Sequence, residues 1–218
     1  MDSNQPTPTD HLVLVFKAPE RAKSRLRRQL GSSTVQLANQ LLQCALDDLR
    51  HWPGPVTLAA TSEADAVWLA NSGGWPDAAL LQPAGNLGER IVQLDLELRQ
   101  QGADRIIFIG SDCPAMDHGY LAKAAEQLSQ QNFVLGAAMD GGVSLMGGRC
   151  PWPALADLHW STPLLGAALA LRCGTQLMLP SLRDVDDIDD LAPLLNELLA
   201  DNRPTRIELK HWLETWLS

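Results

Sequence analysis

Six cationic side chains, Lys17, Arg21, Lys23, Arg25, Arg27 and Arg28, fall within twelve consecutive positions of a chain whose formal net charge is -9. Arginine forks onto phosphate oxygens and lysine acts as a mobile point charge, so such a cluster in an acidic protein points to a local anion site. Lys23 and Arg25 are separated by one residue, which in an extended segment sends both side chains the same way. Arg27 and Arg28 read as a solvated face. In S-D-C-P (111–114), Asp112 leaves an apolar run and Pro114 restricts the backbone behind it. Such a carboxylate can ligate a hard cation, Mg2+ or Mn2+, or cap the helix that follows.

Other segments carry groups of the same kind. In M-D-G-G (139–142), Asp140 before two glycines suits an Asp-Gly hairpin turn or backbone that a ligand approaches closely. G-N-L-G-E-R (85–90) offers amides at Gly85 and Gly88 near a helix start and a guanidinium at Arg90, a nucleotide or phosphate contact. His159 in H-W-S-T can be a base, a metal ligand or a packed surface ring. D-V-D-D-I-D-D (184–190) holds five acids. Most suit solvent or the first turn of a helix. Asp184 and Asp186 alternate around Val185 as at a strand end, and Asp186 is the one expected to reach a metal, with helix capping as the alternative.

These groups need a scaffold, and the apolar pattern supplies one. H-L-V-L-V-F (11–16), P-V-T-L-A-A-T (55–61), A-L-L-Q-P (79–83), R-I-I-F-I-G (105–110), N-F-V-L-G-A-A (132–138), V-S-L-M-G-G (143–148) and T-Q-L-M-L-P (175–180) read as strands. Helical spacing runs from Thr34 to about His51, through 62–72, from about 86 to Gln101, and over 117–131. S-T-P-L-L-G-A-A-L-A-L-R-C (161–173) is apolar almost all round and reads as a buried helix. Two more helices follow, one starting near Ile188 despite Pro193, the other closing the chain with Trp212 and Trp216 turned to the core or to a second copy. Strands alternating with helices argue for one α/β domain around a mostly parallel sheet, where ligands bind beyond the carboxyl ends of the strands. The basic loop, G-N-L-G-E-R, S-D-C-P and M-D-G-G each follow such a strand.

Composition narrows the function class. With 45% apolar and 20% charged residues the chain has ordinary globular make-up. Its net negative charge disfavours general nucleic-acid binding. No apolar run approaches the roughly 18 residues needed to span a bilayer, so no membrane is expected and a cytoplasmic location is. Cys44, Cys113, Cys150 and Cys173 form no C-x-x-C pair, which leaves out a zinc ribbon or dithiol redox site. Residues 1–10 read as a flexible tail and 11–218 as a single domain.

The ordered series K-A-P-E-R-A-K-S-R-L (17–26), G-N-L-G-E-R, G-S-D-C-P, D-G-G-V-S-L-M-G, W-S-T and D-V-D-D-I-D-D-L resembles the small bacterial transferases of the nucleotide-diphospho-sugar transferase superfamily. Within it the series is similar to the group found beside radical-SAM proteins and associated with arsenosugar biosynthesis. The likeness runs from about Leu12 to Leu191. It implies a single-domain GT-A fold and a metal-dependent glycosyltransferase that moves a sugar from a nucleoside-diphosphate sugar to a small acceptor. By that likeness Lys23 and Arg25, with Lys17 at the head of their loop, hold the donor phosphates. Gly88 and Arg90 line the nucleotide, Asp112 holds Mg2+ or Mn2+, and Asp140 faces the acceptor or the metal; the residue reading adds Asp186 to the metal and makes Asp140 or His159 the general base of an inverting enzyme.

Two places, covering three residues, depart from that group. Val143 and Ser144 stand where an aromatic pair is usual, and Ala138 where proline is common. Both lie on the acceptor side. A-K-S-R-L is also similar to the opening of the phospholactate guanylyltransferases, which makes nucleotidyl transfer the alternative. A non-catalytic nucleotide-binding protein is the third reading. Donor base, sugar, acceptor and oligomeric state are not written in the sequence.

Overall fold

The structure, a computed structural model, describes residues 10–75 and 79–218. Residues 1–9 of the expected tail lie outside the described residues; Asp10, expected to end that tail, opens the first strand and pairs with Arg105. The chain runs β1 (Asp10–Phe16), α1 (Arg27–Leu30), α2 (Ser33–Arg50), β2 (Val56–Ala60), α3 (Glu63–Trp68), β3 (Leu80–Leu81) and α4 (Leu87–Gln100). It continues with β4 (Arg105–Ile109), α5 (His118–Leu128), β5 (Phe133–Ala138), β6 (Val143–Gly148), α6 (Leu165–Cys173), β7 (Leu177–Leu182), α7 (Leu191–Glu197) and α8 (Pro204–Leu217).

Seven strands form one sheet in the order β3-β2-β1-β4-β6-β5-β7. It is mostly parallel. β6 is the exception and runs against both neighbours, β4 and β5. β1 lies inside the sheet, and Leu12, Val13 and Leu14 have no exposed surface. The side-chain period of two sends them alternately to opposite faces. Leu12 and Leu14 meet Leu42, Leu46 and Leu121 from α2 and α5. Val13 turns to Ile91 and Leu94 of α4 and Leu169 of α6. A third cluster joins Leu37 and Leu41 of α2 to Leu194 and Leu209 of α7 and α8, with Trp212 and Trp216 packed partly against it.

Two local expectations meet a different outcome or a clear reason. α6 buries Leu165, Gly166 and Leu169, whereas Leu164 and Leu171 are 74% and 85% exposed. It covers the sheet with one face, so its apolar sequence does not make it a helix buried all round. Pro193 is harmless because it falls in the first turn of α7, where a backbone N–H has no intrahelical acceptor.

Candidate active site

Because β1, β4, β5 and β7 are parallel to one another through the sheet, their carboxyl ends share one edge. The loop 17–26 leaves β1 there, S-D-C-P leaves β4, and residues 139–142 form the tip of the β5–β6 hairpin. Residues 183–187 follow β7. A pocket of about 270 Å³ opens between them, with Asp112, Asp140, Asp184 and Asp186 on its polar side and Arg25 at its rim. Leu87, Ile91, Phe108 and Trp160 make an apolar wall.

Lys23 sits in the middle of the acidic side. Its Nζ lies 2.8 Å from Asp112 Oδ1 and 3.2 Å from Asp186 Oδ1, and donates to the Val185 carbonyl at 2.5 Å. The side chain is 7% exposed. Burial alone lowers an ammonium pKa, but the Asp112 and Asp186 carboxylates outweigh it and Lys23 is raised above its ordinary value. Its backbone holds φ at 53°, a region that branched and bulky L residues rarely enter. Arg25 is mostly exposed and reaches Asp186 Oδ2 at 3.5 Å.

Asp184 is the titratable group most altered by the cluster. Burial comes first, then the charges of Asp140, Asp186 and Asp112, and together they push its carboxyl up to about 6. Asp140 accepts the Gly142 N–H at 2.7 Å, which closes the turn on its own side chain. The Asp-Gly hairpin turn is formed, and Asp140 and Gly142 line the pocket. Gly141 has φ of 90° and backbone so close to the next loop that a Cβ would stand 2.1 Å from the Pro163 oxygen.

The loop carrying Lys23 is tied down by Asp65 in the first turn of α3. That carboxylate accepts the Ala18 N–H at 2.7 Å, Arg21 Nε at 2.9 Å and the Ser62 hydroxyl at 2.6 Å. Arg21 is thus turned away from the pocket, and Arg27 donates to the Glu20 carbonyl. Sequence reasoning passes over Asp65. The signal for it is S-E-A-D, since Ser62 caps α3 and fixes Asp65 at a helix start facing the β1 loop.

The S-D-C-P loop rests on a second tie. Asp112 O accepts the Val185 N–H at 2.9 Å. Beneath it, Arg206 has no exposed surface and donates to the Pro114 carbonyl at 3.0 Å, the Met116 carbonyl at 3.2 Å and the Cys44 carbonyl at 2.7 Å. Asp48 receives both Arg206 Nη2 at 2.5 Å and Arg203 Nη1 at 2.9 Å. No local pattern marks the pairing with Asp48, which lies 155 and 158 positions from Arg203 and Arg206 in the chain.

The remaining sequence candidates lie elsewhere. Gly88 is buried at the start of α4, where a Cβ would stand 2.3 Å from Leu155 O and 2.8 Å from Trp160 Nε1. Its bareness serves helix-to-loop packing, and it joins G-N-L-G-E-R to W-S-T physically. Arg90 donates Nε to its own loop at Gly85 O, 2.8 Å, and His159 is exposed beside Asp157 and Arg172 in a neighbouring hollow. Lys17 is exposed at the end of β1. Lys23, Arg25, Asp112, Asp140 and Asp186 are brought together; Lys17, Gly88, Arg90 and His159 are not lining residues of this pocket.

A mixed sheet of this order, with an acidic and basic pocket at its carboxyl edge, is the fold of nucleotide-diphospho-sugar transferases. The structure superposes on a candidate nucleotide-diphospho-sugar transferase from Desulfovibrio desulfuricans G20 with a TM-score of 0.82 and 23% identity, covering 95% of this chain and 97% of that one. It also matches 4-diphosphocytidyl-2C-methyl-D-erythritol synthase from Anaerococcus prevotii DSM 20548, with a TM-score of 0.55, 8% identity, and 95% and 97% of the two chains covered. The mannosyltransferase PcManGT from Pyrobaculum calidifontis, in complex with GDP-Man and Mn2+, gives 0.52 at 12% identity, over 96% of this chain and 70% of that one. The chain belongs to the family DUF2064, described as uncharacterized proteins conserved in bacteria, which matches residues 49–162. No curated protein sequence matches it.

A divalent ion suits the chemistry of the donor set. Four carboxylates line the pocket; Asp112 and Asp186 are paired with Lys23 and Arg25, and burial, followed by the charges of Asp140, Asp186 and Asp112, raises the Asp184 carboxyl. Among the described residues, however, no group of three His, Cys, Asp or Glu side chains is arranged to hold a metal ion. Lys23 stands between two of the oxygens that would do so. Nor is any helix of the described residues long and apolar enough to cross a membrane.

Proposed function

We propose that the protein is a transferase that binds a nucleoside-diphosphate sugar and passes the sugar to the oxygen of a small acceptor. The observation that carries this reading is the charge inventory of the pocket. Of the six cations in 17–28, Arg21 is committed to Asp65 and Arg27 to the Glu20 carbonyl, while Arg25 lines the pocket and Lys23 reaches its carboxylates. A site with two engaged cations and four carboxylates matches a diphosphate diester better than the more highly charged tail of a nucleoside triphosphate. The G-N-L-G-E-R and W-S-T motifs support the same side, because together they build the wall that closes the pocket beside Leu87 and Trp160.

In this reading Arg25 at the rim and Lys23, once drawn from its carboxylates, hold the donor phosphates. Asp112 and Asp186 would hold Mg2+ or Mn2+, an ion that one or two carboxylates and substrate phosphates suffice to bind and that would neutralise charge developing on the departing diphosphate. Asp140, fixed by the Gly142 N–H on the hairpin across the pocket, takes the acceptor proton. His159 is not given that role, since it faces the neighbouring hollow. The arsenosugar-type group named by the motif series is the finer assignment within this proposal.

The test is product analysis. Purified protein incubated with metabolite pools, Mn2+ and UDP-, GDP-, CDP- or ADP-sugars should release nucleoside diphosphate, and Asp112→Ala should abolish the release. Pyrophosphate appearing from nucleoside triphosphates, with no nucleoside diphosphate from any sugar nucleotide, overturns sugar transfer in favour of nucleotidyl transfer.

A further inference from the structure

Lys23 has every mark of a residue held in place by its acceptors. An ammonium has three protons, and here three oxygens receive it: Asp112 Oδ1 at 2.8 Å, Asp186 Oδ1 at 3.2 Å and the Val185 carbonyl at 2.5 Å. The side chain is nearly closed to water while both carboxylates stay over two-fifths exposed. Its left-handed backbone, φ 53°, is a conformation that surrounding contacts must sustain. The loop on one side is clamped through Asp65 and the S-D-C-P loop on the other through Arg206, so the ammonium bridges two anchored walls.

The geometry points to Lys23 as an internal counter-ion that a divalent metal must displace, so that metal and nucleotide phosphates enter the pocket together. This rests on the metal-binding reading above. The reasoning is one of competition for oxygens. A divalent ion needs the Asp112 and Asp186 oxygens that Lys23 already contacts, and two cations sharing those oxygens repel each other. Metal binding alone would therefore leave the ammonium without its acceptors. A diphosphate held by Arg25 would supply new ones. Each ligand thus removes an obstacle to the other, and such coupling is reciprocal. The order of events is set by this chain's own lysine, and it keeps the free protein from holding metal without donor.

Mn2+ titrations of the full chain, read by the EPR signal of free Mn2+, test this with and without UDP, GDP, CDP or ADP. The wild type should bind Mn2+ alone weakly. Lys23→Met should bind Mn2+ alone at least tenfold tighter than the wild type, with melts confirming that the variant is folded. In the wild type itself, acetic anhydride labelling of the Lys23 amine, read by mass spectrometry, should rise severalfold at saturating Mn2+ without nucleotide. If Lys23→Met binds Mn2+ alone no more tightly, or if Lys23 labelling is unchanged by saturating Mn2+, the counter-ion role is wrong while the metal reading stands. If neither protein takes up Mn2+ with any nucleotide, the metal reading fails and the counter-ion role with it.

Discussion

Arg206 and Asp48 meet at 2.5 Å in the interior, the guanidinium with no exposed surface at all, and the same guanidinium holds the carbonyls of Pro114 and Met116. The C-terminal helix therefore supports the loop of Asp112 from below. Replacing Arg206 by Met removes the guanidinium from the Cys44 carbonyl and leaves Asp48, Pro114 and Met116 with Arg203 alone. Breaking a buried pair from one side costs about 3–5 kcal/mol. Urea melts of Arg206→Met should show a loss of that size, and Arg203→Met, at a partly exposed position, a smaller one.

Asp184 makes stability depend on pH. Its folded-state carboxyl titrates at about 6 against an ordinary 3.8, so between those values the folded chain keeps a proton that the unfolded chain gives up. The contribution is full below the lower value and is lost as pH rises through the upper one. Asp184→Asn cannot ionise and should escape that loss. Because the group is only half buried, the gain at pH 7 is about 1 kcal/mol, or roughly 2–4 °C in Tm. Melting curves should coincide near pH 4 and separate by pH 7; a variant less stable than the wild type at pH 7 would contradict the crowding of charge around Asp184.

Two pocket-edge glycines should respond oppositely to the same substitution. At Gly88 a methyl group would stand 2.3 Å from the Leu155 oxygen, which is backbone and yields only if the loop shifts. At Gly110, which unlike Gly88 lines the pocket, a Cβ meets nothing within 4 Å. Gly88→Ala should lose about 1–3 kcal/mol, and Gly110→Ala should stay within roughly 0.5 kcal/mol of the wild type. Chemical denaturation of the two variants measures both.

Asp65 should govern the order of the basic loop. Burial raises its carboxyl, but hydrogen bonds from Ser62, Ala18 and Arg21 overcome this and leave it below 3.8. Its stabilisation is accordingly present above that pH and lost as pH falls through the lowered value. Asp65→Ala should speed amide exchange at Ala18 and Arg21 by about tenfold or more, corresponding to roughly 1.4 kcal/mol of local stability. Exchange at α8 should not change. An unaltered Ala18 rate would remove Asp65 from its anchoring role.

The sheet was legible because buried strands declare themselves as short apolar runs: R-I-I-F-I-G (105–110) became β4 over Arg105–Ile109 and N-F-V-L-G-A-A (132–138) became β5 over Phe133–Ala138, each one residue shorter. The alternation of strands and helices then gave the mostly parallel sheet, and the shared edge followed from it. Asp112 and Asp140 were expected at that edge for this reason and Asp186 from its alternation with Val185, and all three line the pocket. What stayed hidden was long-range pairing. Nothing near Lys23 in sequence says that Val185 and Asp186 will enclose it, and R-I-E-L-K reads as a surface turn of helix although Arg206 is wholly buried. Arg90 and His159 belong to motifs whose backbone, not their charged side chains, shapes the wall. Helical amphipathicity misled at α6, where apolar residues stand exposed at Leu164 and Leu171.

The reversed direction of β6 has a consequence for how such a site can change over generations. Its tip, 139–142, joins two strands already held together by their own hydrogen bonds. Lengthening a loop whose stems are fixed adds little, about 0.6 kcal/mol for each doubling. The β1 loop, pinned through Asp65 and Lys23, has no such freedom. Under the proposed sugar transfer, new acceptors would be recruited most readily by insertions at the hairpin tip while the donor side stays constrained, and diversity among relatives should concentrate around Asp140 rather than around Lys23.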